Sequence, residues 1–169
     1  MKDYKHNNVI IESFKKWSDN DREIINDGLI LMGLHREIEM YTEILGSRFK
    51  LPLKQMEILE ILVAYPERQL TPAELADEIH LTRSTMTGNL DTLQEKGLIS
   101  RESHPKDRRM TLIKITKKGI EFCNEKIPQL YTDLLKVMSL FTSEDRNHLK
   151  KIYIKLLTLF KELATEVVN

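Results

Sequence analysis

The sequence contains one cysteine, six glycines, five prolines and no apolar run long enough to cross a membrane. A single cysteine excludes an intrachain disulfide framework and a zinc site built from several thiolates. Little glycine and proline leaves little room for linkers, and the first 14 residues carry charges where a secretory signal needs an apolar stretch. We therefore expect a soluble, cytoplasmic protein of one domain, or of two small ones that share a core.

Patterns that carry catalysis or bind metals are also missing. The chain has no glycine-rich phosphate loop, no nucleophile elbow and no carboxylate pair, so we expect neither an enzyme nor a cofactor. Cys123 lies on an apolar helical stripe between Ile120 and Ile127, which favours a buried structural thiol over a reactive sensor. The histidines lack the His-x-x-x-His spacing of a helical metal site, so we expect no metal; they are His6, His35, His80, His104 and His148.

The charges are unevenly distributed along the chain. The net charge is zero, with 26 basic and 26 acidic residues, but the segment from Thr82 to Lys118 holds nine basic and four acidic residues, a local charge of +5. A nucleic-acid footprint is a local basic patch, so this segment is a candidate. Chance clustering on a solvated face explains the charge alone more simply. The function must therefore be argued from the elements that carry these residues.

The middle of the chain predicts two short consecutive helices. Thr71 and Glu74 form a capping box with Pro72 at the first helical position, which is a specific start signal. A second helix starts at a cap on Thr82 and ends at Gly97. Two short helices joined by a turn of three or four residues predict a helix-turn-helix.

The period changes after Gly97. Residues 98–101 and 110–115 have the composition of strands, and the polar segment 103–109 between them is typical of a hairpin tip. A helix-turn-helix followed by a hairpin is a winged helix. We therefore predict a mainly α-helical fold with a small β-hairpin wing, in which a winged helix-turn-helix DNA-binding lobe occupies residues 51–116.

Long amphipathic helices flank this lobe, at residues 21–50 and 117–169, and Pro128 should bend the one that begins at Thr116. Residues 1–20 form an N-terminal extension. The apolar stripes of the long helices are too extensive to stand alone, so we expect a helical dimerisation region that packs on a second chain. Its predicted interface residues are Ile24, Leu31, Leu134, Phe141, Leu149, Ile152, Leu156, Leu159 and Leu163.

The second helix of the helix-turn-helix presents small hydroxyl side chains, which can reach phosphates or base edges in a major groove. Gly88 costs about 1 kcal/mol against alanine in mid-helix. Either the backbone approaches DNA closely at this position or the glycine relieves a helix–helix contact, and the two explanations weigh evenly. The predicted DNA contacts are Thr82, Arg83, Ser84, Thr85, Thr87, Gly88 and Asn89.

The hairpin tip supplies a second set of candidates. Arginines on a loop can enter a narrow minor groove, and Asp107 is useful there if it holds one guanidinium in a bidentate pair. The alternative is a solvated turn with an ordinary surface ion pair. The predicted wing residues are Arg101, Lys106, Asp107, Arg108 and Arg109.

These segments together resemble the MarR (multiple antibiotic resistance regulator) family. The run from Thr82 to Gly97, TRSTMTGNLDTLQEKG, and the following LISRESHPKDRRMTLIKITKKG match its recognition helix, its wing tip at Asp107 and Arg109, and its exit into the next helix at Gly119. The resemblance covers about residues 20–165. It implies a homodimer whose two lobes each read half of a palindrome, with Arg109 in the minor groove and Asp107 as its support. Gly88 and Asn89 depart from the larger polar or basic residues of many relatives, which affects base preference.

We therefore expect a DNA-binding transcriptional regulator that acts as a repressor and that a small-molecule effector releases from its operator. The effector would bind between the dimerisation helices and the winged lobe, although methionine-rich stretches are more often plain core. A protein-interaction module that ignores DNA is the alternative, and a redox or metal sensor is a weaker one. The predicted effector-lining residues are Met32, His35, Met40, Met56 and Leu59.

Overall fold

The computed structural model describes residues 17–105, 107 and 109–168. Lys106, Arg108 and most of the predicted N-terminal extension lie outside the described residues. The chain divides into two compact units, one up to Ile58 and one from Leu59 onward. In the described ranges, no helix is long and apolar enough to span a membrane. The element order is α1 (Asp19–Ser47), α2 (Leu53–Ala64), β1 (Gln69–Leu70), α3 (Pro72–Glu78), α4 (Arg83–Glu95), β2 (Ile99–Ser103), β3 (Thr111–Ile115), α5 (Lys117–Met138) and α6 (Ser143–Val168).

The long helix α1 lies in the first unit and starts two residues before the predicted start. Ser18 caps it, because the Ser18 hydroxyl accepts from the backbone N–H of Asp21 at 3.2 Å and the Asp21 carboxylate accepts from the Ser18 N–H at 3.2 Å. Pro52 immediately precedes α2, and its carbonyl accepts the first hydrogen bonds of that helix, from Gln55 and Met56. Proline suits this place because it has no N–H to leave unpaired.

The helix-turn-helix in the second unit consists of α3 and α4. Thr71 and Glu74 form the predicted capping box of α3, and Thr82 caps α4. The turn between them includes His80 with a positive φ of 54°. The prediction of both helices is confirmed. The buried apolar side chains of this helix pair are Leu75, Ala76, Ile79, Met86, Leu90 and Leu93.

The wing is part of a three-stranded antiparallel sheet in the order β1-β3-β2. The hairpin register pairs Ile99 with Ile115 and Ser103 with Thr111, so β2 is longer than the sequence predicts. The edge strand β1 is missing from the prediction. It has two residues, Gln69 and Leu70, which pair with Lys114 and Ile113. Two residues are too few to show the alternation by which a strand is recognised.

The long helices α5 and α6 complete the second unit. Thr116 caps α5, and Pro128 lies inside this helix without ending it. The start of α6 is held by Thr142 and Asp145, since the Asp145 carboxylate accepts from the Thr142 N–H at 2.9 Å and from its hydroxyl at 2.6 Å. The predicted dimerisation side chains of α1, α5 and α6 are all exposed on the single chain.

Candidate nucleic-acid interface

Hydroxyl groups at the start of α4 form a linked, exposed cluster. The Thr82 hydroxyl accepts from the Thr85 N–H at 3.2 Å and shares hydrogen bonds with the hydroxyls of Thr85 at 2.8 Å and Ser84 at 3.2 Å. This network fixes the first turn of the helix, which positions the exposed Arg83 beside it. A rigid polar helix start is suited to phosphate and base-edge contacts.

The next polar side chains of α4 bond to their own helix. Thr87 donates to the Arg83 carbonyl at 2.9 Å, and Asn89 donates to the Thr85 carbonyl at 3.0 Å. Thr87 is exposed, whereas Asn89 is half-buried. Any DNA contact by these two donors would therefore exchange an existing hydrogen bond for a new one.

Gly88 lies on the open face of α4. A Cβ built there would have no described atom within 4 Å outside its own local helix. Relief of a helix–helix contact within the described chain is therefore excluded as the reason for this glycine. Close approach of the backbone to DNA at Gly88 stays a prediction.

Arg101 of β2 is hydrogen-bonded to α4, the predicted recognition helix. Its guanidinium donates to Asp91 at 2.6 Å and to the Gln94 side-chain oxygen at 2.8 Å. Asp91 of α4 is thus the partner of a wing arginine. DNA contact by Arg101 stays a prediction, but two of its donors already join wing and helix.

The wing tip contains the expected bidentate pair. The Arg109 Nε atom lies 3.2 Å from Oδ1 of Asp107, and the Nη2 atom lies 3.2 Å from Oδ2. The backbone N–H of Arg109 also donates to Oδ1, at 3.0 Å. The Arg109 side chain is 90% exposed. These hydrogen bonds lower the pKa of Asp107 from its usual 3.8, with a further contribution from nearby His104. The structure therefore confirms the pair, and it leaves the guanidinium accessible.

A groove that sequence reasoning missed opens beside these residues. Its volume is about 400 Å³. It lies between the start of α3, the recognition helix α4 and strand β3, so no single sequence motif could have revealed it. It is lined by Thr71, Pro72, Ala73, Arg83, Thr87, Met110 and Thr111.

The predicted effector-lining residues have different environments. Met32, His35 and Met40 are exposed on α1, and His35 lies 3.6 Å from Glu39. Met56 and Leu59 of α2 are completely buried, as core residues are.

Cys123 lies in the protein interior. Cys123 is buried, and desolvation raises the pKa of its thiol to about 11, with a smaller contribution from Glu60. Within the part of the chain that the structure describes, no three His, Cys, Asp or Glu residues are grouped so that they could hold a metal ion.

Known proteins resemble this chain in sequence. The profile of the MarR family matches residues 49–110. The HTH-type transcriptional repressor YetL of Bacillus subtilis (strain 168) is 27% identical over 162 residues, which cover 95% of this chain and 93% of YetL. The transcriptional repressor MprA of Escherichia coli (strain K12) is 27% identical over 136 residues, which cover 76% of this chain and 77% of MprA.

The fold also has a close counterpart among solved structures. Sco3205, a MarR family transcriptional regulator from Streptomyces coelicolor solved in complex with DNA, superposes with a TM-score of 0.73 at 22% identity, over 85% of this chain and 90% of Sco3205. The predicted mainly α-helical fold with a small β-hairpin wing is thus confirmed.

Proposed function

We propose, because the profile of the MarR family matches residues 49–110, that the protein is a sequence-specific DNA-binding regulator of transcription. It acts as a homodimeric repressor on a palindromic operator, and a small-molecule effector releases it from the DNA. The proposal draws on the named relatives YetL and MprA, which are transcriptional repressors.

One observation carries the proposal: an exposed helix start and an exposed, oriented arginine belong to the same winged lobe. The first turns of α4 offer Arg83, small hydroxyls and the open backbone at Gly88. The wing offers Arg109, whose direction is set by Asp107. A helix with small side chains can lie deep in a major groove while a loop arginine enters the adjacent minor groove, where the negative potential is enhanced.

The exposed apolar stripes support the dimer. Leu149, Ile152, Leu156, Leu159 and Leu163 of α6 step by three and four residues along one helix and are all exposed on the single chain. Such a stripe has the spacing of a helix–helix seam. In a twofold dimer the two recognition helices would read half-sites one helical turn apart, roughly 34–36 Å.

Release of the protein from DNA by an effector requires a difference in affinity between two states. A ligand shifts the protein away from the DNA-binding state only if it binds another state more tightly. Met32, His35 and Met40 are accessible candidates for its contacts, whereas Met56 and Leu59 would have to be uncovered first.

The test is a titration of DNA fragments selected from the parent genome. We expect Arg83→Ala to weaken binding and to lower the slope of log affinity against log salt concentration, because a phosphate contact is lost. Arg109→Ala should cost about 1–3 kcal/mol of binding free energy. Lys136→Ala on α5 is the matched control, and it should change neither quantity.

Failure of the wild-type chain to select any fragment would contradict the proposal. A nearly flat salt dependence would favour the alternative, a protein-interaction module that uses the winged helix without DNA.

A further inference from the structure

The C-terminal end of the recognition helix α4 is held by the first residues of α5. The Lys118 ammonium donates to the carbonyl oxygen of Lys96 at 2.6 Å. The Thr116 hydroxyl lies 2.8 Å from the carbonyl oxygen of Gly97 and 3.1 Å from that of Leu98. These three carbonyls belong to residues 96–98, which directly follow the last residue of α4, Glu95. The chain at the end of α4 is therefore hydrogen-bonded to residues that follow the wing hairpin.

The two backbones also meet directly at this joint. The Thr116 N–H donates to the Leu98 carbonyl at 3.0 Å, and the Gly119 N–H donates to the Thr116 hydroxyl at 3.0 Å. A Cβ on Gly119 would lie only 2.2 Å from the Leu98 oxygen. The Thr116 hydroxyl therefore caps α5 with its lone pair and holds the end of α4 with its proton.

We infer that Thr116 and Lys118 are positioning residues for DNA binding. They fix the direction of the recognition helix relative to α5, and they raise DNA affinity without touching DNA. The inference rests on the proposed function. Lys118 belongs to the basic segment from Thr82 to Lys118, but its ammonium donates to a protein carbonyl. The inference therefore gives Lys118 a role different from that of a phosphate-binding lysine.

The joint also links DNA binding to the proposed dimer. Leu134 lies in α5 and Phe141 follows its end, and both are exposed members of the predicted interface. A rigid connection at Thr116 and Lys118 therefore sets how each recognition helix is aimed from its dimerisation helix. Spacing between two half-sites tolerates little error, because each lobe must meet its own groove.

The adjacent lysine provides a matched control. Lys117 has the same charge, its side chain is 93% exposed, and its ammonium lies 4.0 Å from Glu121. We expect Lys118→Met to lower affinity for a selected operator about tenfold, the scale of one lost charge-assisted hydrogen bond. Lys117→Met should lower it about twofold or less, the scale of a surface charge.

The salt dependence of the same titrations distinguishes positioning from contact. Lys118→Met should leave the slope of log affinity against log salt at its wild-type value, because no phosphate contact is removed. A reduced slope in Lys118→Met would mean that this lysine binds phosphate, which would overturn the inference. Equal losses in Lys118→Met and Lys117→Met would overturn it as well, because they would reflect charge alone.

Substitutions at Thr116 provide a second, independent arm. Thr116→Val keeps the shape and removes the hydroxyl, so it should weaken operator binding, and Thr116→Ser should restore it. Circular dichroism must show each variant fully folded at the titration temperature. Wild-type affinity in folded Thr116→Val and Lys118→Met would overturn this inference alone. A wild-type chain that binds no fragment would overturn the proposed function, and the inference with it.

Discussion

At the residue scale, the wing uses a carboxylate to orient an arginine. Asp107 carries the wrong charge for a loop that is proposed to face DNA, but it holds two guanidinium nitrogens and one backbone N–H of Arg109. The pKa of Asp107 is lowered, so the pair is complete above the usual carboxyl pKa of 3.8 and is lost only as the pH falls through the lower folded-state value. Operator binding near neutral pH should therefore not vary through this group.

Replacement of Asp107 gives a result opposite to simple electrostatics. Asp107→Asn removes a negative charge close to the proposed DNA, yet we expect weaker operator binding because the bidentate pair that aims Arg109 is lost. Glu102→Gln is the control, because Glu102 lies on the same hairpin, 3.9 Å from Lys114. Fluorescence anisotropy should show a loss for Asp107→Asn only. Tighter binding by that variant would mean that Arg109 needs no support.

Cys123 should be chemically quiet in the folded protein. Because the pKa of its thiol rises from 9.0 to about 11, the thiolate fraction at neutral pH falls about 100-fold. The native chain should therefore react with a disulfide reagent far more slowly than the chain unfolded in guanidinium. The readout is direct, since the sequence has no other cysteine. Equal rates would revive the redox-sensor interpretation.

At the scale of elements, two helical glycines, Gly88 and Gly119, have opposite surroundings. Gly88 faces open space on α4, so no contact inside the described chain offsets its cost in helix stability. Gly119 lies in the first turn of α5, where a side chain would collide with the Leu98 carbonyl and with Ile115 Cγ1 at 2.7 Å. The Gly88 position is open, whereas the space at Gly119 is filled by the protein itself.

Alanine substitutions should separate these reasons. Gly88→Ala should raise the free energy of unfolding by about 0.5–1 kcal/mol and weaken operator binding, because the added methyl group stands where DNA would approach. Gly119→Ala should lower the free energy of unfolding by about 1–3 kcal/mol. Urea titrations give both stabilities. A Gly88→Ala variant that gains stability and keeps full operator affinity would argue against close approach at that residue.

At the scale of the whole molecule, α6 is more apolar than one interface stripe requires. Besides the predicted seam, Tyr153, Leu157 and Phe160 are exposed on a neighbouring arc of the same helix. At 100° per residue, most polar side chains of α6 lie on one arc of a little less than half of the circumference, which includes Lys151 and Thr158. So wide an exposed apolar surface suits contact with more than one helix of a partner chain.

Charge placed on this surface should dissociate the proposed dimer. We expect the double variant Ile152→Lys and Leu156→Lys to sediment as a monomer and to lose operator affinity, because two ammonium groups would be buried at the seam. Lys151→Glu changes the charge of the polar arc and should remain dimeric. A double variant that sediments as a dimer would place the interface elsewhere on the chain.

Local signals in the sequence determined much of this protein. The caps at Thr71, Thr82 and Thr116, the stop at Gly97 and the inward residues of both short helices follow from interactions within a few positions, so the helix-turn-helix could be predicted. The Asp107–Arg109 pair could be predicted for the same reason, since its partners are two residues apart. The apolar stripes of the long helices were likewise readable from their spacing.

Only the tertiary structure decided which distant residues meet. Arg101 and Asp91 are ten positions apart, Thr116 and Gly97 are 19 apart, and Lys118 and Lys96 are 22 apart. Strand β1 exists because β3 offers it an edge, not because Gln69 and Leu70 have a period of their own. Local propensity acts over one turn or one strand, whereas these contacts depend on how folded elements pack. The same basic side chain could therefore face DNA or another part of the protein, and the sequence alone did not distinguish the two.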